Sequence, residues 1–316
     1  MKALVIGAAG FVGAAICRKF LARGYEVTGL ARNSESRAKL VAAGVVPHLG
    51  DMADLEDLKR LAGGFDIVVM SVHHARELEL AVISAIIESC RQAGGDKHFI
   101  FTSGTGVLAI DSPEGRWNEI SYSDDEEAPF PRAEFRTWRM LAEDFVRRSA
   151  GDGLNTYVIR PPLIYGHGGS NQVPAIFHSV LKTGAACYLG HGLNLYSNVH
   201  VDDLAEAYGL IVDHGTAGAV YHTVAGEANF RAIAEAVASV AGCEVRSVDF
   251  DEACSIWGTR WTRNALAVNS RSTAPRARRE LGWVPTHIDL IEDIRRGSYA
   301  DAWSRGIFGA DSRWPG

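Results

Sequence analysis

Three glycines near the start of the chain have the spacing of a phosphate-binding turn. Gly7, Gly10 and Gly13 follow a short apolar run, Leu4 to Ile6, typical of a strand that is buried on both faces. A helical stretch follows over 14–23. Strand, glycine turn and helix together bring backbone N–H groups and a helix N-terminus to a pyrophosphate. The pattern predicts a dinucleotide site; the alternative is a tight turn in another kind of α/β protein.

The residue that ends the second predicted strand, 26–32, bears on which dinucleotide is bound. A site for NAD places a carboxylate there, which accepts hydrogen bonds from the ribose hydroxyls. This chain instead has Arg32, followed by Asn33 and Ser34. A guanidinium and a hydroxyl would bind a 2′-phosphate, which a carboxylate would repel. We therefore predict NADP(H); the alternative is that Arg32 only stacks on the adenine.

Further cofactor contacts are expected where other parallel strands end, because their carboxyl ends meet at one edge of the sheet. Asp51 either accepts a hydrogen bond from the adenine amino group or caps a helix predicted over 53–61. The other residues expected to contact the cofactor at this edge or in the glycine turn are Phe11, Val12, Met52, Ser71, Val72 and Ser103.

The predicted elements that position these residues alternate between strand and helix. Later strands are predicted at 65–72, 98–103, 156–160, 219–224 and 244–250, and helices at 77–92, 132–148, 173–181, 204–212 and 230–240. The order favours an α/β fold: a doubly wound parallel sheet of the Rossmann type with a smaller α/β substrate cap. We assign 1–165 plus 198–225 to the dinucleotide domain and 166–197 plus 226–316 to the cap. The charged runs 124–127 and 276–279 are interpreted as a solvated loop and a solvated helix face.

Composition narrows the range of partners. The 316 residues carry a net charge of −6, which gives no reason to expect nucleic acid or an anionic membrane surface. No apolar run reaches the roughly 20 residues that span a bilayer, and the chain begins directly with a core strand rather than a signal peptide. The five cysteines are scattered, without metal-ligand spacing, which indicates reduced thiols in a cytoplasmic protein and no metal site.

Several motifs together resemble the extended branch of the short-chain dehydrogenase/reductase family, which includes nucleotide-sugar epimerases and dehydratases. Besides the glycine turn and the strand ending at Ser103, they are Arg160-Pro161-Pro162-x-x-Tyr165-Gly166, His200-Val201-Asp202-Asp203-Leu204 and Leu281-Gly282-Trp283-x-Pro285. The match covers nearly the whole chain. The resemblance implies a small-molecule substrate, a homodimer formed through helices 77–92 and 132–148, and cofactor contacts from Arg139, Pro161, Pro162 and Leu163.

The catalytic residues of that family are replaced here. The family uses a Ser or Thr together with a Tyr and a Lys spaced Y-x-x-x-K; the tyrosine moves the proton as hydride is transferred. The matching positions are Gly104, Phe135 and Arg139, and Glu143 follows one turn later. Phenylalanine has no proton to give, and arginine stays charged. The chain thus resembles atypical members with an intact cofactor site and altered chemistry.

A second departure concerns the substrate. Nucleotide-sugar epimerases commonly carry an arginine four residues before the histidine of His-Val-Asp-Asp, facing the diphosphate, and this chain has a tyrosine there. We therefore expect an aromatic pocket rather than a phosphate clamp, although each aromatic residue could equally belong to the core. The candidate substrate-binding residues are Phe135, Tyr165, Tyr196, Trp257 and Trp261.

Other residues could supply the missing proton. His73 and His74 follow the fourth strand, and imidazole is a suitable acid or base near neutral pH. Thr105 could polarise a carbonyl, and Tyr165 could offer a phenol from the opposite wall. Arg139 is retained as a candidate for holding the nicotinamide ribose. His167, His191 and His200 are weaker candidates, and His200 is expected to hydrogen-bond backbone at the junction with the cap.

Three functions are compatible with these residues. The first is an NADP(H)-dependent oxidoreductase acting on a small or medium apolar carbonyl, imine or enone. The second is a non-redox lyase, dehydratase or cyclase on the same scaffold. The third is a protein that binds NADP(H) as a sensor. An enzyme of the first kind could work without the tyrosine, because positioning contributes to catalysis independently of proton transfer.

Overall fold

The computed structural model describes residues 1–72, 76–125 and 134–308. Numbered in chain order, the strands are β1 (Lys2–Ile6), β2 (Glu26–Ala31), β3 (Val46–Leu49), β4 (Ile67–Met70), β5 (Lys97–Thr102), β6 (Ile110–Asp111), β7 (Tyr122–Ser123), β8 (Leu154–Arg160), β9 (Leu163–Tyr165), β10 (Ala185–Leu189), β11 (Leu195–His200), β12 (Val220–His222), β13 (Gly226–Asn229), β14 (Glu244–Val248), β15 (Val268–Asn269) and β16 (Ser272–Thr273). The helices are α1 (Phe11–Ala22), α2 (Ser34–Ala42), α3 (Leu55–Ala62), α4 (Arg76–Ala93), α5 (Glu134–Arg148), α6 (Gln172–Thr183), α7 (Val201–His214), α8 (Phe230–Ala241), α9 (Phe250–Trp257), α10 (Thr259–Trp261), α11 (Pro275–Leu281), α12 (Leu290–Arg296) and α13 (Ser298–Ser304).

Seven of these strands form one parallel sheet in the order β12-β8-β5-β4-β1-β2-β3. Successive side chains of a strand point to opposite faces, and β1 shows this directly. Val5 packs in a core with α1 and α7, whereas Leu4 packs in a separate core with α4 and α5. Because both faces are covered by helices, the strand must be apolar throughout. The predicted doubly wound fold is confirmed.

The sheet places the predicted cofactor residues at one edge. Parallel pairing aligns the ends of β1, β2, β4, β5 and β8. The residues that follow these ends are Gly7, Arg32, Ser71, Ser103 and Pro161. Segments far apart in the chain therefore meet at the carboxyl edge of the sheet, where ligands of such folds bind.

A second hydrophobic core lies under a smaller α/β layer. Here β10 pairs in parallel with β14, and β11 lies between β13 and β9. Residues from α6, α8, α9, α12 and α13 pack together in this core. The sequence did not predict β10 or β11. Strand β10 reads Ala-Ala-Cys-Tyr-Leu, which has weak intrinsic strand preference, and its partner is more than fifty residues away in the chain.

Asp124 is buried rather than solvated, which corrects the expectation for this residue of the acidic run, whereas Asp125 is exposed. Asp124 is 4% exposed, and its carboxylate accepts hydrogen bonds from the backbone N–H groups of His222, Arg276 and Ala277. Burial raises the pKa of this carboxyl, and the three N–H groups oppose that shift. Asp125 pairs with Arg279 at 2.8 Å. The acidic and basic runs thus bind each other and hold α11 on the sheet edge; residues 126 and 127 lie outside the described ranges.

The remaining compositional expectations concern cysteines and membranes. All five cysteines are free thiols, and Cys17 is buried in α1, where burial raises the pKa of its thiol to about 12. A thiol with so high a pKa is a packing group rather than a nucleophile. In the ranges that the structure describes, every helix is too short or too polar to cross a membrane.

Candidate active site at the carboxyl edge of the sheet

The glycine turn has little room for side chains. Gly7 has a φ of +93°, a conformation that favours glycine, and the Gly10 N–H donates to the Gly7 carbonyl at 2.9 Å. A Cβ at Gly13 would stand 2.1 Å from the Gly7 oxygen. Helix α1 begins at Phe11, three residues earlier than predicted, so Gly13 lies in its first turn. Glycine at position 13 lets this helix approach the end of β1 closely.

A cleft of about 380 Å³ lies against this turn. Seven of the predicted cofactor residues line it: Gly7, Gly10, Arg32, Asn33, Met52, Ser71 and Val72. Sequence reasoning missed four others, namely Ile6, Ala9, Leu30 and Ser36. Ser36 could have been found from its spacing, because a polar residue three positions after Asn33 is the signature of a capping box. The cleft has the position expected for the adenosine and pyrophosphate of a dinucleotide.

Arg32 is the cation of this cleft. Its side chain is exposed at the end of β2, and none of the ion pairs between described residues involves it. Asn33 caps α2: its side chain accepts from the Ser36 N–H at 2.8 Å and from the Ser36 hydroxyl at 2.9 Å. Ser34 begins α2 and is exposed, outside the lining. Of the three residues predicted to bind the 2′-phosphate, Arg32, Asn33 and Ser34, Arg32 is therefore the one that carries a charge, and this charge is not paired with another described residue.

Some predicted cofactor residues face elsewhere. Asp51 accepts a hydrogen bond from the Ala53 N–H at 2.9 Å and does not line the cleft, while Asp54 caps α3. Phe11 packs its ring against Gly169 and, like Val12, is absent from the lining. The Leu163 side chain is fully buried in the cap core. None of these side chains lines the cleft.

A second pocket, of about 340 Å³, opens where β5 and β8 end. It is lined by Ser103, Gly104, Gly106, Val107, Trp138, Arg139, Pro161, Pro162, Ile164, Ser170, Asn171, Gln172, Tyr196 and Asn264. Five of these were predicted: Ser103, Arg139, Pro161, Pro162 and Tyr196. Sequence reasoning missed Trp138, which lies on α5, and the three amides Asn171, Gln172 and Asn264 on the cap side, because no motif marks any of them.

The Arg139 side chain is fixed by buried partners on the side away from the pocket. It is 5% exposed and forms a buried ion pair with Glu79, and it donates to the Thr102 carbonyl at 2.6 Å. Its guanidinium also lies 4.7 Å above the ring of Phe101. Burial lowers the pKa of Arg139, and the Glu79 carboxylate opposes that shift. Arg139 thus offers the pocket a neutralised, rigid side chain rather than a free cation.

Ser103 begins a buried polar network. Its hydroxyl donates to the Glu143 carboxylate, and Arg160 pairs with the same carboxylate. Arg160 also lies 3.4 Å from the His222 Nε2, while His222 Nδ1 lies 3.0 Å from the Thr273 carbonyl. Burial lowers the pKa of His222 to about 3, so its ring is neutral. Because the Ser103 proton points at Glu143, the serine presents a lone pair to the pocket.

Three candidate residues lie behind the pocket wall, and a fourth, Trp261, is half-buried and does not line the pocket, which corrects the expected aromatic lining. Thr105 is 1% exposed and hydrogen-bonded to Ser270. Tyr165 donates its phenol proton to the His287 carbonyl at 2.8 Å. Trp257 is 1% exposed and donates its indole N–H to the Ala175 carbonyl, and Trp261 packs beside it. All four fill the space under the cap, where large apolar groups gain most from burial.

Three proposed catalytic or substrate-binding residues cannot be placed. His73 and His74 lie outside the described residues, and nothing is described of the Phe135 side chain.

Three residues of the kinds that bind metals lie together at the start of α7, although their spacing in the sequence did not predict a metal site. Ligand atoms of His167, His200 and Asp202 lie within 4.8 Å of one another. Each is already engaged: His167 Nε2 bonds the Asp202 carboxylate at 2.8 Å, and His200 Nδ1 accepts the Asp202 N–H at 3.2 Å. His200 therefore hydrogen-bonds backbone, as expected, and caps α7. The contact between His200 and Asp202 is the N-terminal cap of α7, and His167 bonds the carboxylate of the same Asp202.

Comparison with known proteins agrees with this geometry. Residues 3–225 match the model of the NAD dependent epimerase/dehydratase family. An uncharacterized protein of Schizosaccharomyces pombe is 34% identical over 95% of this chain and all of its own length. The 2-alkyl-3-oxoalkanoate reductase of Stenotrophomonas maltophilia is 27% identical over 94% of this chain and 98% of its own.

A solved structure of an epimerase is also similar to the chain. UDP-glucose 4-epimerase of Thermus thermophilus, in complex with NAD, is 25% identical and superposes with a TM-score of 0.73 over 96% of this chain and 99% of its own. The family model covers more than half of the chain, and the match includes the glycine turn, Arg139 and the HVDD segment. The chain belongs to the NAD-dependent epimerase/dehydratase family.

Proposed function

We propose that the protein is an NADP(H)-dependent oxidoreductase that acts on a small or medium carbonyl, imine or enone. The observation that carries the proposal is the adjacency of two cavities at the carboxyl edge of the sheet. One follows the ends of β1, β2 and β4 and contains Arg32, and the other follows the ends of β5 and β8. A dinucleotide laid along this edge would present its hydride to the second cavity. Reductase-named relatives support this over a non-redox function.

The lining of the second pocket bears on the substrate. Tyr196 stands where a diphosphate-binding arginine is common, and the one cation among the described lining residues, Arg139, is paired with Glu79. Asn171, Gln172 and Asn264 add uncharged hydrogen-bonding groups from the cap side. These groups favour a neutral carbonyl compound with polar substituents over a nucleoside diphosphate sugar, and they make the pocket less apolar than the sequence suggested.

Arg32→Asp is expected to reverse the choice of cofactor. Charge-assisted hydrogen bonds contribute about 1.5–3 kcal/mol each, so the wild type should bind NADPH roughly 10- to 100-fold more tightly than NADH. An aspartate would repel the 2′-phosphate and accept from the ribose hydroxyls of NADH. Fluorescence titration of both dinucleotides measures the two affinities, and NADPH oxidation at 340 nm with a panel of carbonyl compounds measures the activity.

Arg37→Asp is the matched control, because Arg37 is exposed on α2, close after Arg32 in the chain, but does not line the cleft. Tighter binding of NADH by the wild type would refute the NADP(H) assignment. Product formed without NADPH consumption would favour a lyase or dehydratase. Tight NADPH binding with no turnover of any carbonyl would favour a sensor.

We also propose that the protein is a homodimer that pairs α4 and α5 with those of a second copy. Helix α5 exposes Leu141 and Phe145, which are four residues apart and therefore share a face. Leu141→Glu with Phe145→Glu should give a monomer, measured as mass by light scattering, whereas Arg148→Glu at the exposed end of α5 should not. A monomeric wild type would contradict this proposal.

A further inference from the structure

We infer that Tyr196 is the proton donor that replaces the family's missing tyrosine. This inference rests on the proposed function, because a proton is needed only if hydride reaches a carbonyl in the pocket. Tyr196 lies on β11, in the cap, whereas the family's tyrosine lies on α5. The phenol would therefore approach the substrate from the opposite wall.

The backbone holds Tyr196 in place on both sides. Within β11 it is paired with Ala228 of β13, and on its other side it bridges to Ser270. Its ring packs edge-on against Phe230 at a centroid distance of 6.3 Å. The side chain is 5% exposed. A phenol fixed in this way costs little conformational entropy to orient, as a positioned acid requires.

The phenol oxygen lies near Gly106, four residues after the end of β5. It stands 3.8 Å from the point that a Cβ on Gly106 would occupy. Gly104, at the position of the family's hydroxyl residue, also lines this pocket, as do Pro161 and Pro162. The two glycines leave open the space in front of the strand. The Tyr196 hydroxyl therefore reaches the region where a carbonyl oxygen would lie beside the nicotinamide.

The other polar groups of the described lining are poorer acids, and among them the aliphatic hydroxyl of Ser170 is a much weaker acid than a phenol. The Ser103 proton is committed to Glu143, and Arg139 remains paired with Glu79. The amides of Asn171, Gln172 and Asn264 do not titrate in the accessible range. Thr105 and Tyr165 lie behind the wall, with their hydroxyls engaged elsewhere. Among the residues that the structure describes, Tyr196 is the only phenol lining the pocket.

The chemistry balances with this group as the acid. The dinucleotide supplies a hydride and is itself oxidised when a carbonyl is reduced. The carbonyl carbon gains a C–H bond, and its π electrons move to oxygen. As that oxygen takes the proton, the Tyr196 O–H bond breaks, and the phenolate is then reprotonated from solvent. In the direction of oxidation the same phenolate would accept the alcohol proton.

Tyr196→Phe tests the inference without disturbing the ring packing. We expect kcat with NADPH and the best carbonyl of the panel to fall roughly 10²- to 10⁴-fold, with NADPH affinity unchanged and the alkaline limb of the pH–rate profile lost. Tyr188→Phe is the matched control, since Tyr188 is a half-buried phenol of the same cap that does not line the pocket. An unchanged kcat in Tyr196→Phe, or loss of the pH limb only in His73→Gln or His74→Gln, would overturn the inference.

A second measurement needs no substrate. The chain has nine tyrosines, so protein labelled with 3-fluorotyrosine gives a ¹⁹F resonance that the Tyr196→Phe variant assigns by its absence. NADP⁺ should shift this resonance, and 2′-phospho-ADP-ribose, which lacks the nicotinamide, should not. Equal shifts with both ligands, or none with either bound, would refute the placement of Tyr196 beside the nicotinamide. Failure of every dinucleotide to bind would refute this inference together with the proposed function.

Discussion

Gly13→Ala is expected to abolish tight dinucleotide binding while leaving the protein folded. The added Cβ would stand 2.1 Å from the Gly7 carbonyl oxygen and 2.6 Å from its carbon. Since both are backbone atoms, α1 must move away from the end of β1. The N–H groups of the turn would then no longer point towards the pyrophosphate of a bound dinucleotide. Losing two charge-assisted hydrogen bonds, at about 1.5–3 kcal/mol each, weakens NADPH binding roughly 100-fold or more.

Two further glycine-to-alanine variants distinguish a loss of dinucleotide binding from a general loss of stability. A Cβ at Gly10 would meet the Gly7 oxygen at 3.2 Å, so Gly10→Ala should lower NADPH affinity by less. Gly64→Ala, whose Cβ would meet the Leu61 oxygen at 3.3 Å, lies before β4 at the opposite sheet edge and should leave affinity unchanged. Fluorescence titration measures affinity, and far-ultraviolet circular dichroism confirms folding. Wild-type affinity in a folded Gly13→Ala protein would show that the turn does not bind the dinucleotide.

Glu143→Ala should be the most destabilising substitution among the buried charges near the pocket. The Glu143 and Arg160 side chains are 2% and 7% exposed, and the carboxylate also accepts the Ser103 proton. The substitution takes away the carboxylate that pairs with the buried Arg160 guanidinium and that accepts the Ser103 proton. Breaking a buried pair from one side costs about 3–5 kcal/mol of unfolding free energy. Urea denaturation, followed by circular dichroism, measures the loss.

Asp144→Ala is the matched control, because Asp144 is the next residue of α5 and its side chain is 43% exposed. It lies 3.9 Å from Arg147, and exposed pairs of this kind contribute about 0–1 kcal/mol. The double variant Glu143→Leu with Arg160→Met should recover much of the stability, since two apolar groups leave no unpaired charge. Equal losses in Glu143→Ala and Asp144→Ala would show that the buried network contributes little.

The sequence alone was enough for the doubly wound sheet and for most residues of the cleft beside the glycine turn. Leu4 to Ile6 had to be buried on both faces, and glycines at positions 7, 10 and 13 had to make a turn that side chains would obstruct. These features follow from neighbours in the chain, so local preference determines them. Arg32 was likewise identified by its position at the end of a strand. The start of α1 lies three residues before the predicted one because Gly13, a poor helix former, was placed before the helix although it lies in its first turn.

The tertiary structure decided which side chains meet, because those contacts join segments that no local pattern links. Asp124 was predicted to be solvated, yet its carboxylate accepts hydrogen bonds from backbone N–H groups of β12 and α11, about 100 and 150 residues later in the chain. Tyr165, Trp257 and Tyr196 looked equivalent as aromatic residues. All three are buried by packing of the cap, but Tyr196 alone of the three lines the second pocket, with its phenol oxygen near Gly106. The glycine turn was therefore determined by the sequence, whereas the second pocket was determined by how the cap closes on the sheet.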